Sequence, residues 1–275
     1  MNNFEAILDY GSKNLRLGVF DKESKNVYFS KVEISNLLEN NSLEFELNKL
    51  IRDAEKYLST HLVDINILYD TYKYNFIELS IKRTFDQPTS IKLQYDSLLQ
   101  EANFLVSENN FKNQIIHIIV NNTIVDDDKK LEKISEDIKI NSLILDIKFI
   151  CLNKSLINDI SEKFKKNNLK ILNIYCSSYV KTIFYNKDLE DKNNNLFLDI
   201  GHDRTTALLY NNFKFQFINS IPMGGNSITK DISKVLKLSI NYSEDLKINF
   251  NYEKKNISSF ENPFEHAKLS KEIFK

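Results

Sequence analysis

Glycine is scarce in this chain. It holds five in 275 residues, where average usage of about 7% would supply roughly nineteen. A sequence so sparing places glycine where little else fits. Cysteine is equally rare: Cys151 and Cys176 have no CxxC partner, which argues against a disulfide framework and fits reduced core residues of a cytosolic protein. The four histidines, His61, His117, His202 and His266, are scattered without metal-ligand spacing. Excess charge of one sign is missing too. Lys and Arg number 37 against 38 Asp and Glu, so there is no nucleic-acid footprint, and Lys129-Lys130 and Lys165-Lys166 read as solvated faces. No apolar run approaches the ~20 residues needed to span a bilayer. The start, "MNNFEAILDYG", lacks the basic region and apolar core of a signal peptide. The expectation is a cytosolic globular protein of one or two domains with ample chain for a core.

What is present is a pattern used twice. "FEAILDYG" is an apolar strand ending in Asp9-Tyr10-Gly11. "NLRLGVF" alternates Leu15, Leu17 and Val19, and "NVYFSKVEI" carries Val27 and Phe29, then Val32 and Ile34 after a slip. A helix follows, with Leu43, Leu47, Leu50, Ile51, Ala54, Tyr57 and Leu58 on one face. From Asn195 the order returns. "LFLDIG" ends in Asp199-Ile200-Gly201, "TTALLY" and "FKFQFINSI" follow as strands, and a helix begins with Asn226 or Ser227 as N-cap and Ile228, Ile232, Val235 and Leu236 on its stripe. Strand, Asp-x-Gly, strand, strand, helix has occurred twice, so the fold has two related halves.

An Asp-x-Gly bend at a strand end has a physical use. Glycine admits positive φ and close approach of a ligand to the backbone. The next turn aims N–H groups at an anion as a nest, and the aspartate can hold Mg²⁺ through water. Two such bends facing each other would clamp the phosphates of a nucleotide.

On these residues the chain resembles the actin, Hsp70 and sugar-kinase superfamily, and within it the bacterial cell-division FtsA family. "ILDYGSKNLRLGVFD" sits where that family has its first phosphate segment. "LFLDIGHDRTTALLYNNFKFQFINSIPMGGNSITKDISKVLKLS" is similar to its second, above all in Ile221-Pro222, Gly224-Gly225-Asn226, Thr229 and Asp231. Between them, the "SLLQEANFLVS" helix, the "NQIIHIIVNNTIV" and "SLILDIKFICLN" strands and the "KSLINDISEKFKKNNLKI" helix, with Leu156, Ile160 and Phe164 on one face, resemble the family's SHS2-type insert. Ser178 to Phe184 are expected to be helical. His117 reads as a strand residue, not a ligand, and Asp126-Asp127-Asp128 as a solvated turn.

The resemblance implies an α/β, actin-like (ribonuclease H-like) fold of duplicated domains. Residues 1–83 and 168–194 would form the first subdomain, 84–167 the insert, 195–225 a partial second subdomain, and 226–275 the start of the small subdomain. It also implies a nucleotide site. Asp9, Gly11, Ser12, Lys13, Asp199, Gly201, Arg204, Thr205, Gly224, Gly225 and Asn226 would face ATP, with Asp9 and Asp199 holding Mg²⁺. The fifth glycine, Gly18, lies within a strand, so the family's later Gly-rich adenosine segment has no counterpart, and the expectation is a C-terminally truncated member. The pattern after Gly201 also departs from the family, which usually has two further glycines and a threonine where this chain has His202, Asp203 and Arg204, with Thr205 and Thr206 beyond. Asp203 brings negative charge to where phosphates are expected, and Asn14 stands where relatives often have lysine. A degenerate ATP site without robust catalysis follows.

The function implied is a cytoplasmic division scaffold. It would bind the C-terminal peptide of FtsZ, self-associate through the insert, and reach the inner membrane only through a tail this sequence lacks. A pilus-assembly platform protein of the same superfamily is the alternative. A small-molecule kinase would need a carboxylate base beside an acceptor hydroxyl, and no Asp or Glu outside the two bends stands in such a motif.

Overall fold

A computed structural model of the chain describes residues 4–34, 40–132, 134, 138–187 and 194–250. The chain forms two compact units. One comprises Met1–Asp199 with Thr205–Ile221, the other Ile200–Arg204 with Pro222–Lys275.

The first unit is built on a five-stranded sheet in the order β3-β2-β1-β4-β9. Its opening meander is β1 (Phe4–Tyr10), β2 (Asn14–Asp21) and β3 (Asn26–Glu33). The predicted alternation holds in β2, where Leu15, Leu17 and Val19 are fully buried. It fails at Phe29, which is 62% exposed. A register shift opposite β2 residues Val19 and Phe20 turns Tyr28 toward the core instead. Helix α1 (Asn40–Leu58) then crosses over, so β4 (Asp64–Tyr69) runs parallel to β1. Leu47, Leu50, Ile51 and Ala54 are buried on its inner face. Tyr57, expected on that face, is exposed, and its ring leans on Tyr28 instead, at 5.2 Å.

Before the last strand of that sheet the chain makes a long excursion. It builds β5 (Tyr74–Ser90), α2 (Ile91–Asn109), β6 (Asn113–Val125), β7 (Lys129–Leu131) and β8 (Lys139–Asn153). These form a four-stranded sheet ordered β5-β8-β6-β7, with Ile91, Leu98, Ala102 and Val106 of α2 buried against it. The three aspartates between β6 and β7 do form a turn, with positive φ at Asp126 and Asp127. All three aspartates are exposed, as a solvated turn requires, and the turn is also tied to its neighbours. Asp126 accepts from the Asn141 amide at 2.7 Å, and Asp127 pairs with Lys82 at 2.7 Å.

Helix α3 (Lys154–Lys165) starts directly after β8, where Asn153 caps it by accepting from the Ser155 amide at 2.9 Å. Ile160 and Phe164 join the core of the first sheet, with Leu156 packed beside them, as the spacing predicted. Strand β9 (Lys170–Cys176) then pairs parallel to β4, and α4 (Ser177–Lys187) follows.

The second meander is β10 (Asn195–Ile200), β11 (Thr205–Asn211) and β12 (Lys214–Ile221), a three-stranded sheet in that order. Asn212 and Phe213 both have positive φ between β11 and β12, the geometry of a type I′ hairpin turn. Leu208, Tyr210, Phe215 and Ile218 from this sheet share a core with Ile150, Cys176 and Tyr179. Both cysteines are buried free thiols.

His117 lies at the centre of this packing. Its Nε2 accepts from the Cys176 amide at 2.9 Å, and its ring meets Tyr179 edge-on at 4.8 Å. It is a strand residue of β6, as the sequence indicated, and its ring is half-buried. Burial pushes its imidazole down to about 4 from an ordinary 6.5. The unfolded chain therefore takes up a proton that the folded chain refuses. The stability from keeping the ring neutral is fully present above pH 6.5 and is lost as pH falls from there through about 4. At 1.36 kcal/mol per unit, and discounting for partial exposure, this amounts to about 2 kcal/mol. Urea midpoints should fall steadily over that range, and His117→Phe should flatten the profile. An unchanged slope in that variant would show that other groups carry the acid sensitivity.

The second unit contains α5 (Gly225–Leu236) and α6 (Ile240–Asn249). Thr229 and Ile232 of α5 are buried, as are Ser243 and Leu246 of α6. The predicted stripe is rotated. Ile228 and Val235 are exposed, because α5 meets its neighbours through Thr229 and Ile232. No helix among the described residues is long and apolar enough to cross a membrane.

Candidate functional site

The two Asp-x-Gly bends close in the same way. The Gly11 amide donates to the Asn14 carbonyl at 3.1 Å, and the Gly201 amide donates to the Arg204 carbonyl at 2.8 Å. The repeat read from the sequence therefore extends to the hydrogen bond that closes each bend. The reason for glycine differs from the one predicted. None of the glycines has positive φ. What each provides is room. A Cβ on Gly11 would lie 2.8 Å from the Asn14 oxygen, a clash with backbone, and one on Gly201 would lie 3.2 Å from the Arg204 oxygen, a tight contact that the bend must open by a few tenths of an ångström to admit.

In the first unit, strand pairing fixes the carboxylates. Asp9 lies opposite Arg16 in the β1–β2 ladder, and the Arg16 guanidinium meets Asp9 Oδ2 at 2.7 Å. Such cross-strand neighbours are within side-chain reach by geometry alone. Asp199 stands on β10 at the alternate position to Leu198 and Ile200, which are exposed. Its Oδ2 receives Lys181 Nζ at 3.0 Å and Ser178 Oγ at 2.8 Å. The same Ser178 hydroxyl lies 2.9 Å from Asp70 Oδ2, and the Ser178 amide donates to Asp70 Oδ1 at 3.1 Å. One hydroxyl hydrogen is thus shared between two carboxylates, with the Lys181 ammonium offsetting their charge. Asp70, 5% exposed at the end of β4, also holds the first turn of α4. Cys176 donates to it through Sγ at 3.7 Å. Burial, and then the charge of Asp70, push this thiol far above its ordinary range, so it stays protonated and unreactive. Lys13 pairs with Glu33 at 3.4 Å. Ser12 sits half-buried in the first bend, and Thr205 starts β11 opposite Ile221.

The second unit brings Gly201, Arg204, Gly224, Gly225 and Asn226 together. The expected N-cap, Asn226 or Ser227, is instead Gly224, in extended conformation. Helix α5 is capped by backbone. Gly225 N–H donates to the Gly201 carbonyl at 2.9 Å, Asn226 N–H to the His202 carbonyl at 2.7 Å, and Ser227 N–H to the Gly224 carbonyl at 3.0 Å. The Asn226 side chain holds Asp203 Oδ1 at 2.9 Å. Deeper in, Lys247 Nζ reaches Thr229 Oγ1 at 2.9 Å and the Gly225 carbonyl at 3.2 Å, and it pairs with Glu244.

These contacts bear on the nucleotide reading. A helix N-terminus binds phosphate through unsatisfied N–H groups, and the first amides of α5 already have carbonyl partners. The amides of Gly11 and Gly201 are likewise used inside their own bends. Among the described residues, no cluster of three or more His, Cys, Asp or Glu could hold a metal. Sequence reasoning missed Arg16, Asp70, Ser178 and Lys181. Arg16 could have been found by counting the ladder across the Gly11 bend. Asp70, Ser178 and Lys181 meet only through the tertiary fold.

The fold is mixed α/β and of the actin-like kind. Of the solved structures similar to it, the PilM-PilN type IV pilus biogenesis complex matches with a TM-score of 0.62 at 12% identity, covering 89% of this chain and 69% of that one. The ethanolamine utilization protein EutJ from Carboxydothermus hydrogenoformans matches with a TM-score of 0.48 at 10% identity, covering 91% of this chain and 63% of its own. By sequence, the family model described as Cell division protein FtsA matches residues 196–272. A stretch of 53 residues is 43% identical to the cell division protein FtsA of Streptococcus pneumoniae, and it makes up 19% of this chain and 12% of that protein.

Proposed function

We propose that this chain is a cell-division scaffold of the FtsA kind, linking a ring of FtsZ to the cytoplasmic face of the inner membrane. The observation that supports this best is the family match over residues 196–272. It begins on β10 and takes in the Gly201 bend and the α5–α6 pair, the parts with the most distinctive local chemistry. In this reading the excursion from β5 through β8 (Tyr74–Asn153) serves as the insert through which copies associate. The small subdomain beginning at Asn226 docks the C-terminal peptide of FtsZ. Nucleotide contributes weakly at most, since the amides that would face phosphate are bonded within the chain, and robust catalysis is not expected.

A second reading, a pilus-assembly platform, is favoured by the likeness to the PilM-PilN complex across most of the chain. Localisation separates the two. A fluorescent fusion expressed from its own locus should form a band at mid-cell, and the purified chain should retain an immobilised FtsZ tail peptide. A focus that follows the pilus machinery, without peptide capture, would overturn the division reading in favour of the second. Diffuse signal with no capture would count against both.

A further inference from the structure

We infer that the two bend carboxylates do not form a divalent-cation site, and that Arg16 and Lys181 supply in its place the positive charge such an ion would bring. This rests on contacts within the first unit and holds whichever of the two functional readings is correct. Asp9 spends Oδ2 on Arg16 at 2.7 Å, and Asp199 spends Oδ2 on Lys181 at 3.0 Å and on Ser178 at 2.8 Å.

Both cations belong to rigid elements and do not reach in from mobile loops. Arg16 is fixed opposite Asp9 by the β-ladder. Lys181 lies on α4, one turn beyond Ser178, whose hydroxyl and amide are both held by Asp70. A magnesium ion needs carboxylate oxygens, directly or through a tight octahedral shell of water, with its charge unopposed. Here an ammonium stands hydrogen-bonded to the one carboxylate and a guanidinium to the other. An ion bound to either oxygen would have to displace that group or sit within roughly 5 Å of a like charge. Each bend carboxylate has its own cation within the chain, Arg16 for Asp9 and Lys181 for Asp199, and Ser178 joins Asp199 to Asp70. Neither bend carboxylate therefore depends on the metal supply for its counter-charge.

Manganese tests this directly, since binding quenches the paramagnetic signal of the free ion. The full chain titrated with Mn²⁺ alone should show no specific occupancy up to about millimolar ion. The double variant Arg16→Gln/Lys181→Gln leaves the carboxylates in place and removes their partners. It should gain binding at least about tenfold tighter than the parent, a difference of about 1.4 kcal/mol. Circular dichroism confirms that the variant is folded, and both exchanged side chains are substantially exposed. If the double variant does not fold, Lys181→Gln alone is read, with the same expectation at Asp199. As an independent measure, the melting temperature of the unmodified chain should be the same in Mg²⁺ and in EDTA. Two results would overturn the inference. One is Mn²⁺ binding, or Mg²⁺ stabilisation, by the unmodified chain that Asp199→Asn abolishes. The other is a folded variant that still fails to bind, which would mean that the cations are not what excludes the ion.

Discussion

Gly224→Ala is expected to undo the seating of α5 on the Gly201 bend, at a cost of about 3 kcal/mol or more. The added Cβ would lie 2.5 Å from the Gly201 carbonyl oxygen, 2.6 Å from the Arg204 amide nitrogen and 2.6 Å from the His202 carbonyl oxygen. All three are backbone atoms, so no rotamer change relieves the clash. The carbonyls that must retreat are the ones that cap Gly225 and Asn226, so relieving the overlap also strips the helix of its first hydrogen bonds. Gly225→Ala provides the control. Its Cβ would meet the far end of Lys247 at 3.3 Å and the Gly201 carbonyl oxygen at an ordinary 3.7 Å, and alanine is a better helix former than glycine, so its effect should stay within about 1 kcal/mol. Hydrogen exchange should show α5 and α6 losing protection in the first variant and keeping it in the second, with the five-stranded sheet unchanged in both. Equal protection in the two would mean that Gly224 is an ordinary loop residue.

Phe164→Ala should cost about 4 kcal/mol, in the range for emptying a fully buried phenylalanine site. Phe164 has no exposed surface, and its ring lies 6.5 Å from that of Tyr10, next to Asp9 on β1. It is also what holds α3 to the first sheet, together with Ile160. A cavity there loosens the return path from the excursion into β9. Urea denaturation followed by far-ultraviolet circular dichroism measures the loss. Phe164→Leu retains most of the apolar volume and should lose about 1 kcal/mol. If both variants unfold at the parent midpoint, the α3 contact contributes nothing to stability.

Much of the architecture was legible because it depends on periodicity and on a repeated word. The alternation of Leu15, Leu17 and Val19, the Ile160–Phe164 spacing and the two Asp-x-Gly bends are local signals, and each appears in the structure where the sequence placed it. The errors share a cause. Phe29, Tyr57, Ile228 and Val235 are apolar and correctly spaced, yet exposed, because which neighbour on a face turns inward is decided by packing partners. The bend glycines do not have the positive φ expected of them; the structure shows crowding instead, a clash at Gly11 and a tight contact at Gly201. The candidate site was the least legible. Asp9 and Asp199 were found from their bends, but the ion pairs that determine their chemistry needed the ladder register and the approach of α4 to β10. Cap prediction failed at α5 because the capping groups are carbonyls from a segment more than twenty residues upstream, at Gly201 and His202, and no side-chain preference reports them.

Strand β8 contributes to every hydrophobic cluster of the first unit. Leu152 belongs to the core beneath the five-stranded sheet, Ile150 to the aromatic core beside β11 and β12, and Leu143, Leu145, Ile147, Phe149 and Cys151 to the core under α2. Translation delivers this strand only after residues 1–138 have been made. None of the three interiors can close on the ribosome before then, and the early strands must emerge into the cell with their apolar faces bare. The nascent chain is therefore expected to call on holding chaperones until β8 has emerged, and a pause placed before β8 would prolong the most vulnerable stage of its production.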